Sequence, residues 1–423
     1  MVAPTSTPGA AAEVRIDFSD PAIRADPIAI YAQLRAESPI FWNGPQQGWL
    51  VSRYADAVAL FTDARMSSQR ADAAFASLTP EQREELTPLR NVLLNRMLLT
   101  DPPRHTRLKN LVMPAFSMKA ATGRRERIEA LCLGFVNAVT ERGQADETPV
   151  VDIMRDIAAP LPSWVIADTL GVPMDEQADF TRWASAQVAV YDRPGTIHNR
   201  VEVMRGAQQA LLEMRAYLEG IIAARRESPQ EDLLSALVQA EAGGDRLSTD
   251  ELVAMCVALL IGGNNSTAHA IGNCIYTLLR HPEALQQLRE QPQLVRSAVE
   301  EVLRFESPVQ ATSRVAKEDI DLHGETIRAG QNVSLLIASA NRDAQQFPDP
   351  DTFLITRQPN RHLTFAHGPH FCLGSALARN VTQVAVQTLV QHLPNMRLVD
   401  DAPHWAPGFS FKHLETLRVT YDA

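Results

Sequence analysis

One stretch near the C-terminus decides the fold: Phe365-Ala-His-Gly-Pro-His-Phe-Cys-Leu-Gly-Ser-Ala-Leu-Ala-Arg379. Gly368 and Gly374 flank Cys372, and a helix-forming run starts directly after the second glycine. The pattern predicts a loop that delivers a sulfur to the N-terminus of a helix. There, unpaired backbone N–H groups and the helix dipole favour a thiolate. The two glycines allow the backbone to approach a flat, wide group.

The same stretch resembles the cysteine loop of the cytochrome P450 family, F-G-x-G-x-H-x-C-x-G-x-x-L-A-R. The matching positions are Phe365, Gly368, His370, Cys372, Gly374, Leu377, Ala378 and Arg379. Ala366 replaces the first glycine of the pattern, a small change that leaves the resemblance intact. The resemblance implies that Cys372 is the iron ligand of a thiolate-ligated haem b (iron protoporphyrin IX), and that Phe365 and Gly374 contribute to haem binding.

A second match lies in residues 297–305, where Glu301 and Arg304 form an E-x-x-R pair. Residues three apart share one helix face and can form an ion pair. In the family this pair contacts a further arginine, here expected to be Arg357, and supports the cysteine loop. The resemblance therefore implies a structural role for all three.

A third match, Asp101-Pro-Pro-Arg-His-Thr-Arg-Leu-Lys109, resembles the family's D-P-P-x-H-T-x-x-R. His105 and Lys109 lie one helical turn apart, so both can face one anion. In the family these positions bind the haem propionates, together with the residues that correspond here to Arg314 and His370. Four potential donors beside two carboxylates are electrostatically favourable. Lysine at position 109 keeps the charge of the family's arginine but loses its bidentate geometry.

Residues 248–280 predict one long helix that resembles the family's oxygen-binding helix, with its A-G-x-[D/E]-T-T signature. Gly262 and Gly263 align with the point where that helix bends to admit dioxygen. Two adjacent glycines in a helix cost roughly 1 kcal/mol each relative to alanine, which favours a functional reason. Asn265 replaces the family's acid and Ser266 its threonine. Ser266 keeps a hydroxyl that can hold a water, whereas Asn265 has no titrating proton, so the usual acid–alcohol relay is incomplete.

The incomplete relay leaves three hypotheses for the reaction. In the first, protons arrive through water or another side chain, and the enzyme hydroxylates or epoxidises its substrate. In the second, a polar group of the substrate completes the relay. In the third, the substrate is oxidised without insertion of oxygen from dioxygen, by oxidative coupling, desaturation or peroxide-driven turnover. A non-catalytic haem sensor is a remote alternative, which the double glycine and the retained Ser266 hydroxyl disfavour.

The resemblance places the substrate pocket among five segments: residues 67–98, 183–203, the helix 248–280, and residues 309–312 and 409–411. The first segment is small and polar, with Phe75 as its main large side chain. These segments are compatible with a medium-sized natural product or terpenoid as the small-molecule substrate.

Composition limits the class of protein. The chain has 423 residues, 45% hydrophobic and 21% charged, with a net charge of −10. Such a chain is globular and has no global attraction to nucleic acid or anionic lipid. The longest apolar run, residues 252–263, is too short to span a bilayer, and residues 1–14 lack the features of a signal peptide. We therefore expect a soluble, cytoplasmic protein that binds neither nucleic acid nor membrane.

The four cysteines support the same conclusion. None lies within three residues of another, which excludes CxxC redox chemistry and a local zinc knuckle. Four cysteines in a chain of this length do not form a disulfide framework, as expected in a reducing compartment. Cys132, Cys256 and Cys274 lie in apolar helical patterns, and we expect them to be buried and inert.

Periodicity sets the expected architecture. Helical spacing dominates residues 102–305, and later segments predict a hairpin at 320–330, a strand at 332–337 and a helix at 375–392. A strand pair is expected at 39–42 and 49–53. No Gly/Ser/Pro linker separates domains. The predicted fold is mainly α with a smaller β region, the cytochrome P450 helical prism around a buried haem, formed by one domain over residues 17–423 after a flexible tail of residues 1–16.

Electrons are expected to come from another protein, because no G-x-G-x-x-G fingerprint for flavin or nicotinamide follows a strand. The resemblance to the soluble bacterial members of the family implies a ferredoxin and a ferredoxin reductase as electron donors, and dioxygen as co-substrate. Arg104, Arg107 and Arg361 flank the haem-loop motifs and are candidates for a basic docking patch.

Overall fold

Helices form most of the middle of the chain, as the apolar spacing predicts. The computed structural model describes residues 16–18, 20, 23, 26–70, 75, 78–116, 123–143, 149–173, 176, 179, 180, 182, 183, 186, 187, 200–242, 244–400, 404–406 and 408–422. Its α-helices are α1 (Ile28–Glu37), α2 (Tyr54–Thr62), α3 (Pro80–Glu85), α4 (Thr87–Asn95), α5 (Arg104–Val112), α6 (Arg125–Gly143), α7 (Pro160–Leu170), α8 (Arg200–Glu227), α9 (Leu233–Gln239), α10 (Thr249–Arg280), α11 (Pro282–Glu290), α12 (Val295–Phe305), α13 (Ile337–Ala340) and α14 (Ser375–His392).

The β structure is smaller and lies mostly outside the helical region. Its strands are β1 (Ile40–Asn43), β2 (Gly48–Val51), β3 (Met66–Ser67), β4 (Val150–Asp152), β5 (Glu241–Ala242), β6 (Asp245–Arg246), β7 (Thr312–Ala316), β8 (Ile320–Leu322), β9 (Glu325–Ile327), β10 (Asn332–Leu335), β11 (Arg397–Leu398) and β12 (Arg418–Thr420). The largest sheet has the order β1-β2-β10-β7-β3, with β2 and β10 parallel and the other neighbours antiparallel. A second sheet has the order β11-β12-β4, while β5-β6 and β8-β9 are two-stranded.

Several predicted elements are confirmed. The strand pair forms with Trp42 opposite Trp49, the hairpin forms between β8 and β9, and α14 covers the predicted residues. The part of residues 67–99 that the structure describes contains α3 and α4, although the sequence is weakly patterned there. Thr79 starts α3 by accepting a hydrogen bond from the Gln82 backbone N–H, and the Gln82 side chain bonds back to Thr79.

The described residues include only the last position of the predicted N-terminal tail. Residues 1–15 of the expected tail lie outside the described residues. Ile16, placed in the tail by the sequence, is 2% exposed and packs in a core cluster with Tyr31 and Leu50. A single domain over residues 17–423 stays a prediction.

Helix α10 is the central element. Ser248 caps its N-terminus through a hydrogen bond to the Glu251 backbone N–H. The first half of the helix, including Leu252, packs in one core cluster with α7 and α8, and the second half, including Ile271, packs in another with α12 and α14. Within the described part of the chain, α10 alone is long and apolar enough to cross a membrane, and 61% of its most apolar window is buried among other elements.

The predicted E-x-x-R triad forms and is buried. Glu301 and Arg304 are both 0% exposed, and their ion pair is 2.8 Å long. Glu301 also accepts hydrogen bonds from Arg357, from the Leu354 backbone N–H and from Asn360. A second set of three bonds joins Arg304 to the backbone carbonyls of Asn341, Pro350 and Thr352. The triad therefore fixes α12 against the irregular chain of residues 341–360.

Candidate active site

A cavity of about 910 Å³ lies between α10 and the loop that carries Cys372. Its size is typical of a small-molecule or cofactor site. Cys372, Gly374 and Phe365 line one side, and Gly263, Asn265 and Ser266 of α10 line another. His105, Lys109 and His370 also belong to the wall. Nine of the ten site residues predicted from the sequence therefore share one cavity, and the exception, Arg314, is described below.

The Cys372 loop has the predicted geometry. The backbone N–H of Cys372 donates to the Phe365 carbonyl at 2.9 Å, and α14 begins at Ser375 with Gly374 as its N-cap. Cys372 is exposed, and it lines the cavity, whereas Cys132, Cys256 and Cys274 are buried as expected. Although Cys372 has accessible surface, its sulfur lies deep in the protein at the cavity wall, and this burial raises the pKa of the thiol, while the Gly374 backbone N–H and the charge of Arg379 oppose the shift.

The backbone of the loop contains two left-handed residues. Gly368 has φ = +69°, and a Cβ there would lie 3.1 Å from the Phe61 carbonyl oxygen. Ala366 has φ = +60°, a conformation in which an L residue with a Cβ is strained by about 1–2 kcal/mol. The alanine that replaces the family's glycine is therefore not free of cost, although it leaves the turn intact.

A second ion network, not anticipated from the sequence, holds the loop to α12. Glu300 accepts hydrogen bonds from Arg379 at 2.7 Å and pairs with His362 at 3.1 Å. The Arg379 guanidinium lies 4.2 Å from the centre of the Phe365 ring. Burial alone would raise the pKa of Glu300, but the bonds from His362 and Arg379 outweigh it and lower the pKa to about 2. The network thus fixes Phe365, whose carbonyl accepts from Cys372.

The predicted propionate-binding residues lie close together. The rings of His105 and His370 are 4.0 Å apart, and Lys109 Nζ donates to the Pro369 carbonyl at 2.5 Å. Nδ1 of His105 is buried and has no hydrogen-bond partner among the described residues. Burial and the neighbouring cations lower the pKa of both imidazoles, that of His370 to about 3. Such donors, with an orphaned nitrogen among them, fit an anionic group.

Arg314 has a less direct position. Among the described residues, the cavity wall includes Thr312 and Ser313 but not Arg314, which is 3% exposed and donates to the Ser313 carbonyl. Burial, then the charge of Arg70, lowers the pKa of Arg314 to about 10. Its charge in turn lowers the pKa values of His105 and His370, so the three groups are electrostatically coupled.

Two cavity arginines were missed by sequence reasoning. Arg70 lines the cavity and donates a hydrogen bond to the Ser68 carbonyl. Asp101 of the D-P-P motif fixes the same segment, because its carboxylate accepts hydrogen bonds from the Ser67 hydroxyl and the Ser68 backbone N–H. Arg96 is 4% exposed and lies 3.4 Å from Gln187. The sequence did contain a signal for Arg96, because this basic residue lies between the apolar residues of α4 and those of the following turn.

The segment of α10 around Gly262 and Gly263 differs in detail from the expectation. The helix runs from Thr249 to Arg280 without interruption at the glycines. A Cβ at position 263 would lie 2.6 Å from Ile166 Cδ1, whereas a Cβ at 262 would meet nothing within 4 Å. Gly263 therefore allows close packing of α10 on α7. Ser266 Oγ donates to the Gly262 carbonyl at 2.8 Å, which leaves its lone pairs to accept.

The five predicted pocket segments all contribute to the cavity. Leu93 and Leu98, Val203, Val309 and Phe409 represent the segments outside α10. Residues 184, 185 and 188–199 of the second segment lie outside the described part. Phe75, the large side chain singled out in the first segment, is 2% exposed and packs in a core cluster instead. Residues of α7, including Val165 and Ile166, complete the wall and were not anticipated.

The three candidate docking arginines are not equivalent. Arg107 bonds Asp245 at 2.5 Å and Glu251 at 2.6 Å, and these bonds raise its pKa. Its charge is therefore compensated within the protein. Arg104 bonds the Asn95 side chain, a neutral partner, and Arg361 is exposed. A basic docking patch would have to rest on these two.

The donor groups of the cavity suit a cofactor with one thiolate ligand and anionic side groups. In the part of the chain that the structure describes, no group of three or more His, Cys, Asp or Glu side chains could hold a metal ion. Cys372 offers one thiolate, and the cationic and imidazole groups at the edge of the cavity suit carboxylates. This donor set fits a haem with one protein ligand and two propionates.

Comparisons with known proteins agree with this geometry. A family model described as Cytochrome P450 matches residues 79–396. Cytochrome P450 monooxygenase PikC of Streptomyces venezuelae is 38% identical over 94% of this chain and 91% of its own length. Mycinamicin IV hydroxylase/epoxidase of Micromonospora griseorubida is 37% identical over 87% of this chain and 88% of its own length. The crystal structure of P450BioI with an acyl carrier protein ligated to hexadec-9Z-enoic acid matches this structure with a TM-score of 0.83 and 35% sequence identity. The match covers 95% of this chain and 99% of the P450BioI chain.

We predict that Ala366→Gly stabilises the protein by about 0.5–1 kcal/mol. Glycine adopts a positive φ without strain, and the larger backbone entropy that glycine loses on folding offsets only part of this gain. Chemical denaturation of the two proteins measures the difference. Ala376→Gly, within α14, is the control and should lower the free energy of unfolding by about 1 kcal/mol. Equal losses in both variants would contradict a strained Ala366.

The Glu300 network predicts a pH dependence. Since folding lowers the pKa of Glu300 from its ordinary 4.5 to about 2, its contribution is fully present above about pH 4.5 and is lost as the pH falls towards 2. The stability difference between wild type and Glu300→Gln should therefore shrink between pH 6 and pH 3, which urea denaturation at each pH measures. Glu290→Gln, at the exposed end of α11, is the control. A difference that stays constant with pH would exclude the ion network as its source.

Proposed function

The chain belongs to the cytochrome P450 family and is a haem-thiolate monooxygenase, and from this premise we propose that it uses haem b to hydroxylate or epoxidise a lipophilic natural product. The observation that carries the proposal is the shared cavity, which joins one accessible cysteine, a set of propionate donors and the oxygen-facing segment of α10. In this assignment Cys372 is the iron ligand, and His105, Lys109, His370 and Arg314 hold the propionates.

The bound haem supplies the activation of dioxygen and the oxidation of carbon. The protein residues bind, orient and deliver protons. Phe365, held by Arg379, accepts from the Cys372 backbone, and the Gly374 N–H points to the sulfur, so the thiolate has a fixed position. Gly263 and Ser266 lie across the cavity on α10. Ser266 accepts a hydrogen bond from a water through its free lone pairs and can turn from Gly262 to donate.

The substrate class is inferred from the wall of the cavity and from relatives. Apolar side chains such as Leu93, Val165 and Phe411 form much of the wall, which suits a lipophilic molecule. One relative is named for hydroxylation and epoxidation of mycinamicin IV. A neighbouring structure, that of CYP109E1 from Bacillus megaterium, holds testosterone. These observations support a medium-sized natural product as substrate.

Electron supply and location complete the proposal. A ferredoxin and its reductase would provide the electrons, with Arg104 and Arg361 at the docking face and Arg107 excluded by its two internal ion pairs. The enzyme would work in the cytoplasm, since α10 is a core helix and the curated relatives named above are bacterial.

The back-bonded Ser266 favours one alternative. With its hydrogen held by the Gly262 carbonyl and with an amide at Asn265, the helix lacks a ready proton donor of its own. Peroxide-driven oxidation, or oxidative coupling without oxygen insertion, needs less proton delivery from this helix. Labelling with oxygen-18 separates the two functions, because a monooxygenase product carries one atom from dioxygen.

We predict that the reduced, carbon monoxide-saturated protein has a strongly red-shifted Soret band, which indicates a thiolate ligand. Cys372→Ser should lose this band, whereas Cys256→Ser, at a buried position of α10, should keep it. Visible spectroscopy of freshly purified protein with full haem content makes the measurement. A wild-type band at the position of histidine-ligated haem would overturn the assignment of Cys372 and the monooxygenase chemistry with it.

We predict that Asn265→Asp raises the fraction of reductant recovered in product, because it places a titrating acid beside Ser266. The gain should be a few-fold at neutral pH, measured as product formed per reductant oxidised. Asn265→Ala removes the amide without adding an acid and should not improve the ratio. An unchanged ratio in Asn265→Asp would show that protons reach the site by another route.

A further inference from the structure

Two histidines outside the haem-binding set form a stacked pair at the edge of the cavity. His269, on α10, and His413, in the chain after Phe411, have ring centres 3.7 Å apart and planes within 6° of each other. Both residues line the cavity. The Phe411 ring closes one side at 6.0 Å from His269. No step of the proposed mechanism uses this pair.

Each ring leaves a polar atom unsatisfied. His269 is 6% exposed, and Nδ1 of both histidines is buried without a hydrogen-bond partner among the described residues. Buried polar atoms in native proteins nearly always have a partner, either protein or ordered water. Two orphaned nitrogens on stacked rings beside one cavity therefore point to a polar ligand group in this part of the cavity.

The surroundings select a neutral ligand. Burial lowers the pKa of His269 well below 6.5 and that of His413 to about 4, so the pair is uncharged at neutral pH. The nearest cation along the chain, Lys412, is engaged with Glu306 at 2.8 Å. No aspartate or glutamate occurs among the described residues of the cavity wall. Neutral imidazoles can both donate and accept, which suits a hydroxyl or carbonyl oxygen better than an ion.

The position of the pair relates it to the chemistry. His269 follows Asn265 by four residues and Ser266 by three. The three side chains therefore share one face of α10 and lie within about one helical turn, which has a rise of about 5.4 Å. We infer that His269 and His413 form a subsite for a neutral oxygen function, which is a hydroxyl or carbonyl group of the substrate or an ordered water. The substrate source rests on the proposed function, whereas the water source does not.

Matched cyclic probes test the substrate source. Cyclododecanol and cyclododecanone differ from cyclododecane only in the oxygen function, and calorimetric titration of the haem-loaded protein gives their dissociation constants. We expect the oxygenated probes to bind about tenfold more tightly than the hydrocarbon, as one buried neutral hydrogen bond implies. His269→Phe and His413→Phe keep an aromatic stack and should lose most of this preference. His269→Asn places an amide near the position of Nδ1 and should retain part of it.

Crystal structures of the haem-loaded protein, alone and with cyclododecanol, identify the source. An oxygen of the probe within hydrogen-bond distance of Nδ1 of either ring assigns the site to substrate. A water that stays there in both crystals assigns it to solvent. His392→Phe, at the exposed end of α14, is the control for the titrations and should bind all probes as the wild type does.

Two results would overturn the subsite. They are crystals with no oxygen atom at either Nδ1 and a full oxygen preference in both phenylalanine variants. The carbon monoxide spectrum of the same preparations separates this failure from that of the proposed function. A lost subsite with an intact thiolate band leaves the monooxygenase in place, and a missing band overturns the monooxygenase whatever the crystals contain.

Discussion

The position of α12 depends on the buried carboxylate of Glu301. A carboxylate with no exposed surface is stable only when every lone pair is matched, and here two arginines, one amide and one backbone N–H match it. The adjacent Glu300 bonds Arg379 and His362 instead. Consecutive residues of α12 thus hold two separate segments, the irregular chain of residues 341–360 and the Phe365–Cys372 loop, so one helix fixes the position of the sulfur.

Helix α10 fixes the side of the cavity that lies across from the cysteine loop. It belongs to two core clusters, one at each half, and Asn265 and Ser266, between the halves, line the cavity. Rigid packing at both ends fixes Asn265 and Ser266 relative to Cys372 without any direct contact between them. The missing Cβ of Gly263 brings α10 against Ile166, so the glycine that the family resemblance links to oxygen binding also sets a helix–helix distance.

Much of the fold and of the site could be predicted from sequence because the signals were local or carried by motifs. The hairpin at β8–β9 and the helix α14 have clear turn and periodicity patterns, and the Cys372 loop matches a long motif. Strands of two or three residues, such as β5 and β6, are too short to show alternation, and they were missed inside the helical region. Contacts between distant residues were also invisible. Glu300 reads as a solvated helix residue until Arg379 is placed beside it, and His269 and His413 are 144 positions apart yet stack.

The cavity has a consequence for how the protein is made. The residues that line the cavity of about 910 Å³ gain van der Waals contacts from the group that binds there. A haem that binds the folded chain and not the unfolded one shifts the folding equilibrium by mass action. The amount of intact enzyme in a cell is then set by haem supply as well as by translation. Iron limitation would lower enzyme abundance through degradation of the unfilled chain, before any effect on catalysis.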